Sequence, residues 1–258
     1  MRLALLGKPV EHSRSPAIFA AAFAATGIDG SYEARSVDDD GVRAAFAELA
    51  SGELSGINIT MPHKALAFSL CDRVDDQAAR AGSVNTVVLE GGQRVGYSTD
   101  IDGIRTLWRR MPAAGPVLIL GSGGAAAAAV VALAERTPYI SSRRPGAGRD
   151  LGQRAGVEVG ELRWRVPLVG ANVVNCTPLG MKGEWLPSAV VEMASGLFDL
   201  AYAKQPTPAF TYAQGKGLQV VSGLDLLVSQ AGFGFRLFTG VEPPLAAMRL
   251  AAEKPKAN

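Results

Sequence analysis

The chain has 258 residues, 48% of them apolar and 19% charged, with 30 glycines, 15 prolines and a formal net charge of +2. That length suits two domains of about 100 to 150 residues each, and so small and scattered a charge excludes a nucleic-acid footprint, which needs basic residues gathered on one face. The longest apolar runs, near Ala17 and Ala125, fall short of a membrane span, and the opening "MRLALLGKPV" is too short in its apolar stretch for a signal peptide.

Strands and helices alternate from the start. "RLALLG" reads as a strand, a helix follows from Pro16 to Thr26, then "SYEARSV", a helix from Asp40 to Ala50, the strand "GINIT" and a helix from Lys64 to Leu70. This is the βαβ rhythm of a parallel sheet. "SVNTVVLEGGQRVGYSTD" interrupts it, since two alternating runs joined by "EGGQ" form a β-hairpin. A helix near Ile104 to Met111 and the linker "AAGP" lead into a second unit, where "VLILGSGGAAAAAVVALAE", "PYISS", "NVVNCT", "GLFDLAY" and "LQVVSG" resume the pattern. An apolar helix from Leu224 to about Phe238 and a shorter one from Pro244 close the chain. If the second sheet is complete by Gly223, those helices have no edge left to cover there and return to the first domain. The expected fold class is α/β with two domains: residues 1–103 with 225–258, and residues 104–224, the latter a Rossmann-like doubly wound sheet.

"VLILGSGGAA" is a buried strand followed at once by Gly121, Gly123 and Ala126 in G-x-G-x-x-A spacing, then an alanine-rich helix. Gly121 suits the tight turn, Gly123 lets the backbone approach a pyrophosphate, and Ala126 is small enough for the helix to pack on its strand. The helix N-terminus then faces the phosphates. An NAD site places a carboxylate about 20 positions on. Here Ser142 stands at that distance, Arg143 and Arg144 follow, and no carboxylate appears before Asp150. Two guanidinium groups beside a hydroxyl suit a 2′-phosphate, so the expected cofactor is NADP.

The stretch "INITMPHKAL" is a strand ending at Thr60, with Pro62 suited to the first turn of a helix and Lys64 two residues later. A lysine there sits at the carboxyl end of a strand, where a helix N-terminus repels a cation. In "GKPVEHSRSPAIF", Ser15 before Pro16 reads as an N-cap, and Ser13 with Ser15 offers two hydroxyls for a carboxylate. Asp100 either caps the helix of "IDGIRTLW" or faces Lys64. Cys71 and Cys176 lack C-x-x-C spacing and read as buried thiols, while His12 and His63, without metal-ligand spacing, read as loop packing or surface residues. Trp108, Trp164 and Trp185 read as core or rim. No metal is expected.

The set "GKPVEHSRSP", "NITMPHK", "GSVNT" with "STDIDG", and "GSGGAAAA", supported by "NCTPLGM", "FDLAY" and "GLDLLVSQA", resembles shikimate dehydrogenase, in order from about Leu3 to Gly240. The family reduces 3-dehydroshikimate to shikimate with NADPH. The resemblance implies that Ser13 and Ser15, with Tyr202, hold the substrate carboxylate, and that Asn58, Thr60, Asn85 and Gln230 meet the remaining carboxylate and ring oxygens. It implies Lys64 and Asp100 as the catalytic pair. Gly121, Gly123, Gly124 and Ala125 would cradle the pyrophosphate, Ser142, Arg143 and Arg144 the adenosine phosphate, and Thr177, Leu200, Gly223 and Leu226 the nicotinamide half. Family members commonly have asparagine at Ser98, histidine at Phe19, an N-R-T run at Ser142 to Arg144, aspartate at Ser222 and methionine at Leu226. Quinate or an amino analogue as substrate, and a non-enzymatic NADP-binding regulator, are the other readings; an intact Lys64 and Asp100 speak against the regulator. The chain is expected in the cytoplasm as a monomer or homodimer acting on a small molecule, with no nucleic-acid or membrane partner.

Overall fold

In the computed structural model, which describes residues 1–254, Leu3 to Leu6 are buried without alternation, as befits a strand covered on both faces. They lie in β1 (Arg2–Gly7), followed by α1 (Ser15–Thr26), β2 (Ser31–Ser36), α2 (Asp39–Ser51), β3 (Gly56–Ile59), α3 (Lys64–Leu70), β4 (Arg73–Val74), α4 (Asp76–Ala81), β5 (Thr86–Glu90), β6 (Gln93–Tyr97) and α5 (Thr99–Trp108). The strands form one sheet in the order β2-β1-β3-β5-β6-β4. β5 runs antiparallel to both neighbours, while the other pairings are parallel. This single reversal decides where chemistry can gather. Leu6 pairs with Ile59, Asn58 with Thr86, and Thr86 with Tyr97, so the carboxyl ends of β1, β3 and β6 and the amino end of β5 share one edge.

On one face of the sheet Val42, Phe46 and Leu49 of α2 pack with Leu54, Ile57 and Ile59, each such side chain contributing about 1.5–3 kcal/mol by burial. The part of α10 (Gly223–Thr239) from Leu227 onward and α11 (Leu245–Glu253) complete this unit. α11 lies along α1, where the Arg14 guanidinium donates to the Ala252 carbonyl. Phe19 and Phe23 of α1 meet Phe235 at ring-centroid distances of 6.3 and 6.0 Å.

The second unit contains β7 (Val117–Leu120), α6 (Gly124–Ala132), β8 (Tyr139–Ser142), α7 (Ala147–Ala155), β9 (Gly160–Arg163), β10 (Asn172–Asn175), α8 (Ser188–Glu192), β11 (Gly196–Asp199), α9 (Pro208–Gly215) and β12 (Gln219–Ser222). Its sheet, ordered β12-β11-β10-β7-β8-β9, is parallel throughout its described pairings. The chain divides into residues 1–102 with the segment from Leu227 onward, and residues 103–226. Both divisions fall inside helices, α5 and α10, where composition gives no sign of a boundary. Residues 255–258 of the expected first domain lie outside the described residues. Among the described residues, no helix is long and apolar enough to cross a membrane.

Several local expectations need correction. α5 begins at Thr99, not near Ile104, because a side chain from just before another strand caps its first amide. Pro62 precedes α3 and is outside it: the His63 amide donates to the Thr60 carbonyl at 3.0 Å, closing a turn before the helix starts at Lys64. Ser15 is the first residue of α1, not its cap; Arg14 holds the cap position without a side-chain bond of its own, and the Ser13 hydroxyl accepts from the Ser15 amide instead. Strand β9 alternates exposed Glu161 and Arg163 with half-buried neighbours, the pattern of a sheet edge, which a search for apolar runs passes over. Cys71 and Cys176 are half-buried, not fully buried. Trp185 is exposed, with its ring edge-on to Tyr212.

Candidate active site

At the shared edge of the first sheet, β3 ends in Asn58 and Ile59, and the turn after it delivers Lys64 as the first residue of α3. β6 ends at Tyr97 and α5 starts two residues later, with Asp100 in its first turn. The Lys64 ammonium donates directly to Asp100 Oδ2, and the two side chains are 18% and 13% exposed. A partly desolvated pair of this kind depends on both members, because removing one leaves the other uncompensated.

Asn85 explains why Asp100 is where it is. Its Oδ1 accepts from the Thr99 backbone amide at 2.8 Å, and from the Thr99 and Thr86 hydroxyls at 3.2 and 3.1 Å. One buried amide oxygen, from the residue just before β5, thus caps α5 and satisfies a donor that has no acceptor within the helix. Ser98, which stands where an N-cap residue would, has a buried hydroxyl with no hydrogen-bond partner. Gln230 from α10 accepts from Thr99 Oγ1 at 3.3 Å and Asn85 Nδ2 at 3.5 Å, and its own amide donates to the Leu227 carbonyl. On the opposite side of the turn, the His63 imidazole bridges Asp39 Oδ1 at 3.0 Å and the Val37 carbonyl at 2.9 Å. This buried ring fixes the start of α3, and therefore Lys64, to the start of α2.

Among the remaining expected substrate residues, Ser13 donates to the Ser15 hydroxyl and accepts from the Ser15 amide, both at 3.2 Å. Thr60 is half-buried, with its methyl over Gly7. Asn58 is 6% exposed, and its polar atoms are engaged within the protein: Nδ2 donates to Thr86 Oγ1 and the Asn85 carbonyl, and Oδ1 accepts from Tyr32 at 2.9 Å. Tyr32 in turn stacks on Phe19, with centroids 4.1 Å apart and an interplanar angle of 15°. Tyr202 belongs to the second unit, three residues past the end of β11. Sequence reasoning missed Tyr32, Thr86 and Thr99. The only signal for Thr86 and Thr99 was a polar residue beside a named one, and Tyr32 had none, since their roles arise from strand pairing.

In the second unit the turn after β7 has the form the glycine spacing predicts. Gly121 takes φ +111°, and a Cβ there would lie 3.2 Å from the Cys176 carbonyl. Gly123 caps α6 with no side-chain bond, and a Cβ on it would meet nothing within 4 Å. The first amides of α6 are therefore uncapped beside open space, and a phosphate fits that donor set. Gly124 and Ala125 open α6, and Ala126 is fully buried against the sheet. At the end of β8, Ser142 donates to the Arg144 carbonyl at 2.8 Å, and Arg144 makes an exposed ion pair with Asp150 at 2.9 Å, of a kind that contributes little. Gly223 opens α10 and Leu226 is buried within it. Ser222 caps that helix reciprocally: the Asp225 amide donates to Ser222 Oγ at 3.1 Å, while the Ser222 amide donates to Asp225 Oδ2 at 3.0 Å.

A chain with a glycine turn fit for a dinucleotide and a lysine–carboxylate pair able to exchange a proton is equipped as a nicotinamide-dependent oxidoreductase. Residues 5–87 match the family described as shikimate dehydrogenase substrate binding domain. A shikimate dehydrogenase (NADP(+)) of Geobacter metallireducens is 36% identical over 268 aligned positions, covering 96% of this chain and 94% of the relative. One of Acidiphilium cryptum is 38% identical, covering 93% and 90%. The crystal structure of shikimate 5-dehydrogenase from Thermus thermophilus in complex with NADP(H) and shikimate is similar with a TM-score of 0.87, at 33% identity and 98% coverage of both chains. The chain belongs to the shikimate dehydrogenase family.

Proposed function

We propose that this chain catalyses the reversible, NADP-dependent reduction of 3-dehydroshikimate to shikimate, a step of chorismate and aromatic amino-acid biosynthesis. The observation that carries the reading is the Lys64–Asp100 ion pair at the edge where Thr60, Asn85 and Gln230 also lie. NADPH, when bound, supplies a hydride to the substrate carbonyl carbon. Lys64 gives its proton to the oxygen that becomes the alcohol and recovers it in the oxidative direction. Asp100 holds the ammonium in line for that transfer, and α5, capped by Asn85, holds Asp100. The Ser13 and Ser15 hydroxyls, with Tyr202, bind the substrate carboxylate. Thr60, Asn85, Asn58 and Gln230 address its remaining oxygens.

Gly121, Gly123, Gly124 and Ala125 would hold the pyrophosphate, and Ser142, Arg143 and Arg144 the 2′-phosphate, where each charge-assisted bond contributes about 1.5–3 kcal/mol. Thr177, Leu200, Gly223 and Leu226 would line the nicotinamide half. Among the described residues neither Cys71 nor Cys176 joins a disulfide, which suits a reducing compartment, so we place the enzyme in the cytoplasm, as a monomer or homodimer. Oxidation assays with shikimate and with quinate, each with NADP+ and with NAD+, test the reading. The highest kcat/KM is expected for shikimate with NADP+; a higher value for quinate or for NAD+ would overturn it.

A further inference from the structure

Asp199 closes β11 with its side chain sealed in the protein, 1% exposed, and no step of the reaction uses it. Neutral donors surround its carboxylate: Asn175 Nδ2 at 2.7 Å and the Ala201 amide at 3.1 Å reach Oδ1, and the Thr207 hydroxyl donates to Oδ2. Asn175, at the end of β10, spends the rest of its amide on the next turn. Its Oδ1 accepts from the Thr177 amide at 3.0 Å and the Thr177 hydroxyl at 2.6 Å, and its Nδ2 also donates to the Leu179 carbonyl at 3.1 Å. That turn is in contact with the glycine turn, since a Cβ on Gly121 would lie 3.2 Å from Thr177 Cγ2. On the other side, a Cβ on Gly223 would lie 2.5 Å from the Leu200 carbonyl oxygen and 2.7 Å from that of Ala201. The backbones leaving β7, β10, β11 and β12 thus touch in succession, and β10 and β11 are the inner two of that run.

We propose that Asp199 is a positioning residue of the cofactor site: through Asn175, Ala201 and Thr207 it locks together the strand-end turns that carry Gly121, Thr177, Leu200 and Gly223. The proposal rests on the reading of those four residues as cofactor contacts. Stability alone does not account for an acid at this place, because a sealed carboxylate among neutral donors contributes little beyond what an apolar residue would. Burial also holds the Asp199 carboxyl above the usual carboxylate range, a standing cost that geometry repays.

The test uses the full chain, with NADP+ affinity by direct titration and KM for both substrates. Asp199→Ala is expected to raise Kd and KM for NADP+ about tenfold or more, the effect of losing a buried charge-assisted bond, while KM for shikimate stays within about twofold. Asp199→Asn, which keeps an acceptor for Asn175 and Ala201 and is able to donate to Thr207, should remain within about threefold of wild type. Asn175→Ala should reproduce the Asp199→Ala loss, and the double variant should lose less than the product of the two, as members of one network do. Unchanged NADP+ affinity in Asp199→Ala overturns the proposal, and so does an equal rise in both KM values, which marks general loosening. If Asp199→Ala does not fold, Asn175→Ala decides by the same criteria. A wild-type chain that fails to bind NADP+ sinks the functional reading and this proposal with it, whereas wild type and Asp199→Ala binding equally well sinks the proposal alone.

Discussion

At the edge of the first sheet, the side-chain oxygen of Asn85 accepts from the amide and the hydroxyl of Thr99; at the edge of the second, that of Asn175 accepts from the amide and the hydroxyl of Thr177. The clamp is alike, but what it serves differs. Asn85 steadies a helix whose Asp100 faces a lysine, in a pair left partly open to solvent. Asn175 binds a carboxylate that no solvent reaches. An ionised group that meets both its partner and the outside is placed to pass a proton to a bound molecule, whereas a sealed acid among neutral donors holds shape. On the proposed reading the first edge serves turnover and the second holds backbone still.

The sharpest way to break this contrast is at Lys64. Lys64→Ala should lower kcat by roughly 10² to 10⁴, the range of a lost general acid–base group, with a fall in thermal midpoint from the Asp100 carboxylate left without its partner. A variant retaining near-full kcat would remove Lys64 from the chemistry. At the second edge, replacing Arg143 and Arg144 together by alanine should raise KM for NADP+ about tenfold or more while leaving NAD+ nearly unaffected; equal losses for both cofactors would dissociate these residues from the 2′-phosphate. Asn85→Ala should cost about 1–2 kcal/mol through loss of the α5 cap, seen as a lower denaturant midpoint, and a midpoint unchanged from wild type would contradict the clamp.

A pH series separates the two edges further. The Asp199 carboxyl is raised above its ordinary value near 3.8, with burial as the main cause. The folded state therefore binds this proton more tightly than the unfolded chain, so its contribution is full below that ordinary value and is lost as pH rises through the folded-state value. Relative to wild type, Asp199→Asn should gain thermal stability as pH climbs from about 4 toward neutrality; a difference that stays flat across that range would argue against the sealed acid. The smallest effect is expected at Ser98. Its hydroxyl is buried without a partner, so Ser98→Ala should be neutral or stabilising by up to about 1 kcal/mol, and a clear loss of stability would reveal a bond that the hydroxyl makes.

Much of this was legible from residues alone. The βαβ rhythm, the hairpin at "EGGQ", a helix after "INIT" with Lys64 in its first turn and the glycine turn all follow from local periodicity and from residues with few permitted conformations. What stayed hidden depends on partners distant in sequence. The α5 start was misplaced because its cap comes from Asn85 across the sheet, and Ser15 looked like a cap because a serine before proline usually is one. Asn58 is expected to meet the ligand, and nothing in "INIT" reveals that Tyr32, on another strand, also donates to its oxygen. Asp199 drew no attention as a lone acid at a strand end, since only the assembled sheet shows how many turns converge on it. The short strand Arg73–Val74 and the charged edge strand Gly160–Arg163 lie below what alternation can resolve.

The stack of Phe19 on Tyr32 runs from the aromatic interior to an amide at the reactive edge. An oily ring with no polar atom therefore acts as the backstop for a hydrogen-bonding group that it never touches. In a lineage built this way, selectivity can drift from behind: a change of one ring deep in the fold re-aims the amide while every residue in reach of the ligand stays the same.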